Sequence, residues 1–128
     1  MMDNAESERG ELSLSQRPIA VTGVAWLFIA AGAAMFLFHL TELLHPHWDT
    51  FLVESVELTG LAAGILMLKG RNWARWLALA WIAFHVAITA IPPFHGLVVH
   101  ALIFAGITWI LLRPDSAEYF RRSGTRRP

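Results

Sequence analysis

Residues 68–76 read LKGRNWARW, a short basic turn set between two long apolar runs. Its reading decides the fold. Before it lies 51–68, FLVESVELTGLAAGILML, and after it 73–91, WARWLALAWIAFHVAITAI. Gly70 suits the residue just past a helix end, where a positive φ is needed, and Asn72 suits an N-cap. Two helices joined by so short a turn run antiparallel. Lys69, Arg71 and Arg75 mark that turn as cytoplasmic if the runs cross a bilayer, because basic residues concentrate on the cytoplasmic side.

Working outward, two more apolar runs flank this pair, at about 18–40 and 94–112. Each of the four has roughly 18 to 23 residues, enough to cross a ~30 Å hydrocarbon core at ~1.5 Å per residue. Pro18 suits a first helical position, Asp49 or Thr50 an N-cap, and Pro92, Pro93 and Pro114 end helices. The expected fold is all-α, an integral membrane four-helix up-and-down bundle. Residues 1–17 read as a disordered cytoplasmic tail. Residues 113–128 read as a basic cytoplasmic tail holding a short amphipathic helix from about Asp115 to Arg122. There Tyr119 and Phe120 would rest on lipid, though a solvated tail that only fixes topology is the simpler reading.

Composition agrees. Of 128 residues 55% are hydrophobic and 16% charged, against about 25% charged in an ordinary soluble domain. There is no cysteine, which excludes disulfides, thiolate metal sites and cysteine nucleophiles. Net charge is zero with histidine neutral, so no basic field attracts nucleic acid. All ten basic residues lie in the two tails and the central turn. Alternating helices put these three places on one side, giving N-in and C-in topology. Trp73, Trp76 and Trp109 belong at that interface.

The chemistry gathers in the other half. Six of the ten acids lie in the tails; the rest are Glu42, Asp49, Glu54 and Glu57. The six histidines are His39, His45, His47, His85, His95 and His100. Glu57, His85 and His100, from three helices, fall within about 6 Å of the midplane. Glu54, His39 and Glu42 follow toward the exterior. An ionisable group inside a membrane costs about 2.5 to 3.5 kcal/mol or more, so it turns inward and finds partners. The expectation is a buried polar column of these six residues.

Three functions compete for it. Glu–His hydrogen bonds across helices would fix helix order, as polar glue. Neutral histidines and a carboxylate would bind a divalent metal, with Glu57, His85 and His100 as candidate ligands, or two histidines would hold haem b. A Glu/His chain would relay protons for a coupled transporter, although the column stops near the midplane. The His45/His47 loop is a low-specificity metal signal, because exposed histidines are common. Gly60 and Gly64 form a GxxxG motif whose partner would be the small-residue face at 30–34, or a second copy in a homodimer. No hydrolase or transferase constellation and no phosphate loop is present. The leading expectation is a non-enzymatic accessory or interaction protein without a cofactor, its partners the lipid bilayer and other membrane proteins.

Two stretches carry a resemblance. GRNWARWLALAWIAFHV at 70–86 and LLRPDSAEYFRR at 111–122 resemble small bacterial four-helix inner-membrane proteins of uncharacterised function. The matching positions are Gly70, Arg71, Trp73, Ala74, Arg75 and Trp76, then Arg113, Pro114, Tyr119 and Phe120. The resemblance covers about the last two-thirds of the chain, and its motifs are mainly topology signals. It implies the fold and the bacterial inner membrane, and no activity. The architecture is also similar to DoxX-like membrane proteins, which are linked to redox functions.

Overall fold

A computed structural model describes Asn4, residues 17–41, Leu44, residues 47–90 and residues 95–125. The side chains of Thr89 and His95 are not among what it describes. Among the described residues five long helices follow one another: α1 (Ile19–His39), α2 (Trp48–Leu68), α3 (Asn72–Thr89), α4 (His95–Leu112) and α5 (Pro114–Thr125). No strand occurs among the described residues. The chain is therefore all-α, and four of the helices match the apolar runs. Helix α2 begins at Trp48, ahead of the expected start, with His47 as its N-cap. Asp49 and Thr50 lie inside its first turn, where Asp49 Oδ1 accepts the Thr50 amide at 3.1 Å. Asn72 likewise opens α3 from within, and Arg71 precedes it as the cap.

The central turn closes as its glycine predicts. Gly70 has φ +69°. Its amide donates to Met67 O at 3.0 Å and the Arg71 amide donates to Leu66 O at 3.1 Å, the paired bonds of a Schellman ending. The two last-turn carbonyls of α2 are satisfied there, and the chain reverses into α3.

Consecutive helices pack against each other, most extensively α1 on α2, and α1 also touches α4, which closes the ring. Close approach of α1 and α2 depends on small residues. A Cβ on Gly32 would sit 2.8 Å from Leu61 N, and one on Gly64 would sit 2.7 Å from Ala25 O. The GxxxG motif is divided between two partners. Gly64 meets Ala25 and Ile29 of α1, whereas Gly60 meets the indole of Trp81 on α3. The small-residue stretch at 30–34 contributes through Gly32, which faces Leu61.

Small residues line much of the interior beside Phe28, Met67, Leu111 and Phe120, and the exterior is covered with large apolar ones. Buried positions include Val21, Ala25, Gly32, Gly60, Ala63, Gly64, Ala74 and Ala78. Ile19 is 91% exposed and Phe38 73%, and Leu27, Leu37, Leu52, Leu58, Leu102 and Trp109 are also exposed. Water would expel such a surface; hydrocarbon would not. Helices α1 and α2 are each long and apolar enough to cross a membrane, with mean hydropathy 2.1 and 1.7. Helices α4 and α5 together, bent by 58°, make a third candidate. Among the described residues α3 has the length to cross but is less apolar, with Asn72 and Arg75 in its first turn.

Helix α5 corrects the expectation for the C-terminal tail. Phe120 is 0% exposed, so it rests on protein and not on lipid. The bend that delivers it has a chemical cause. Pro114 lacks the amide that would bond Ile110 O four residues back, and the Ser116 hydroxyl donates to that carbonyl at 2.7 Å instead. Tyr119 OH receives a bond from Arg17 Nε at 3.1 Å, and Arg17 Nη2 donates to Leu68 O at 2.7 Å. One guanidinium thus joins the start of α1, the end of α2 and the face of α5. A Cβ on Gly70 would lie 2.5 Å from Ser123 Cβ, so the turn glycine also clears space for α5.

Candidate functional site

Helix α2 carries the site because its buried face runs Thr50, Glu54, Glu57, Gly60, Gly64 and Met67, one residue every three or four. This is the helical repeat, and it aims both carboxylates inward. Glu54 is 5% exposed and Glu57 6%. Ion pairs among the described residues include Arg113–Asp115 and Arg122–Glu118, both at the C-terminal helix. Both oxygens of Glu54 are buried and accept no hydrogen bond.

Trp81 organises the inner end. Its Nε1 donates to Val56 O at 2.6 Å. In an α-helix that carbonyl also accepts the Gly60 amide, and the missing Cβ at Gly60 lets the indole reach it. The indole lies over the His85 ring, with centroids 3.9 Å apart and planes 35° from parallel, and meets Phe28 at 5.3 Å. Trp81 was not among the expected site residues. Its signal was a tryptophan at mid-span, away from the interfaces that tryptophan favours.

The histidine rings are held within their own helices. His85 Nδ1 lies 3.0 Å from Trp81 O, and His100 Nδ1 lies 2.8 Å from Gly96 O. A carbonyl only accepts, so Nδ1 carries the proton in both rings. These contacts are not the interhelical Glu–His bonds that polar glue requires. His85 nevertheless joins the expected trio. It lines a cavity of about 200 Å³ with Glu57, Val56 and Phe84, and another of about 210 Å³ with His100, Phe28 and Trp81. Both are smaller than the ~300–1,000 Å³ usual for an organic ligand. Among the described residues, no three His, Asp or Glu side chains are grouped to hold a metal ion.

His39 ends α1, and its Nδ1 is buried with no hydrogen-bond partner. His47 is exposed at the N-cap of α2. Glu42 and His45 lie outside the described residues, as do Pro92 and Pro93. Ser55, the one serine within a predicted span, donates to Phe51 O at 2.6 Å and is held by its own helix. Comparisons with protein-family models, curated proteins and solved structures found no match to this chain.

Proposed function

We propose that the chain is a multi-pass protein of the bacterial inner membrane, in which α1 to α4 cross as an antiparallel bundle and both termini are cytoplasmic. It works by binding rather than catalysis, as an accessory or interaction protein with buried carboxylates and imidazoles in the outward half of its interior. The observation that carries this reading is the apolar surface: large apolar side chains such as Ile19, Phe38, Leu37, Leu102 and Trp109 stand exposed while two glutamates are buried. A membrane is the solvent that suits that distribution. The basic turn at 69–75, the exposed tryptophans Trp73, Trp76 and Trp109 at the same end, and the resemblance of residues 70–86 and 111–122 support the orientation.

The chain has no native cysteine, so single cysteines report position cleanly. His47→Cys is expected to react with an impermeant maleimide in intact spheroplasts, and Arg121→Cys only after the membrane is opened. Labelling of Arg121→Cys from outside overturns the orientation. In proteoliposomes, a proton flux abolished by Glu57→Gln would replace the binding reading with coupled transport.

A further inference from the structure

The close contact of Gly32 with Leu61 fixes the register of α1 against α2. Seven residues outward along α1 from Gly32 is His39, and seven outward along α2 from Leu61 is Glu54. Seven residues are two helical turns and return to nearly the same face. His39 and Glu54 therefore stand at one level on the facing sides of the most extensive helix pair. They are also two of the residues whose buried polar atoms have no partner: Nδ1 of His39, Oε1 and Oε2 of Glu54. His39 differs in this from His85 and His100, whose Nδ1 atoms are bonded to carbonyls of their own helices.

An unpartnered buried carboxylate needs donors and positive charge. Here three unpartnered acceptor atoms stand at one level: two carboxylate oxygens and, with the proton on Nε2, the lone pair of Nδ1. A primary ammonium group brings one positive charge and three N–H donors. Transition metals match the set less well, because they require three or four protein ligands and the pair supplies two. We propose that His39 and Glu54 form a binding site for a small primary ammonium cation, entered from the end of the bundle where α1 stops and α2 begins. The site rests on the membrane reading only for the side it faces.

The test uses the full chain in detergent micelles, with thermal unfolding followed at constant ionic strength. Ethylammonium is expected to raise the midpoint saturably. Tetraethylammonium, which has no N–H donor, and sodium are expected to leave it unchanged. Glu54→Gln keeps the shape and removes the charge, and should weaken the ethylammonium response roughly ten- to hundredfold. His39→Phe should weaken it by less and serves if Glu54→Gln does not fold. An equal response to tetraethylammonium, an unchanged response in both variants, or stoichiometric zinc at these residues in place of ethylammonium each overturns the proposal. Reversed cysteine labelling would change only the side of entry and leave binding intact.

Discussion

Gly60→Ala tests the link between α2 and α3 at its narrowest point. The added Cβ would lie 2.8 Å from Cε2 and 2.9 Å from Cζ2 of Trp81. Carbon atoms pack at about 3.5–4.0 Å, so the indole must retreat by roughly 0.7 Å. The Trp81 Nε1 to Val56 O bond, now 2.6 Å, then stretches past the ~3.2 Å limit of a good bond. Overpacking costs about 1–3 kcal/mol. The lost interhelical bond adds about 0.6 kcal/mol. Alanine returns at most about 1 kcal/mol of helix propensity. The net expectation is destabilisation by about 1–3 kcal/mol, read from equilibrium unfolding in mixed micelles of rising SDS fraction. The control is Trp81→Phe, which removes the clashing ring atoms. On that background Gly60→Ala should be near neutral, giving a coupling energy of about 1 kcal/mol or more. If Gly60→Ala is neutral in the native background, or its cost is the same in both, the indole does not set this contact.

Gly64→Ala places its Cβ 2.7 Å from a backbone oxygen, Ala25 O, which cannot swing away, so the same unfolding assay should show a larger loss than Gly60→Ala. Phe120→Ala should cost about 3–5 kcal/mol in that assay, because the ring is fully buried; a lipid-facing ring would cost almost nothing. Tyr119→Phe removes the hydroxyl shared by Arg17 and Leu68 O and should cost about 1 kcal/mol, whereas Arg17→Ala combined with it should add less than its separate effect. Absorption spectra of the purified protein are expected to lack a Soret band, given cavities of about 200 Å³; a band lost in His85→Ala and His100→Ala would establish haem ligation in its place.

Helix positions were legible in the sequence because the punctuation residues act locally. Gly70 and Pro114 each force one backbone event wherever the rest of the chain lies. The inward turn of Glu54 and Glu57 was legible for a similar reason, since their spacing and the cost of charge in lipid leave one face available. What the glutamates touch was not. Depth along a helix gives a level but no rotation: Glu57 shares a cavity with His85, and His85 shares another with His100. The pairing of level with face came only from Gly32 against Leu61. Docking of α5 was illegible for another reason. Tyr119 and Phe120 among arginines and acids present the same amphipathic pattern to lipid and to protein. The choice lies in the space that Gly70 leaves for Ser123, a contact between residues 53 positions apart.

The Arg17 junction has a consequence for how the molecule is made. Arg17 bonds Leu68 O, 51 residues away, and Tyr119 OH, 102 residues away. During synthesis α1 and α2, the most extensive helix pair, can pack before the later helices are made. Tyr119 is translated long after both Arg17 and Leu68, so neither can meet it while the first helices form. The junction therefore closes only once α5 has been made, and a nascent chain that has not reached α5 leaves Leu68 O, the Gly70 turn and the place of Phe120 uncovered together.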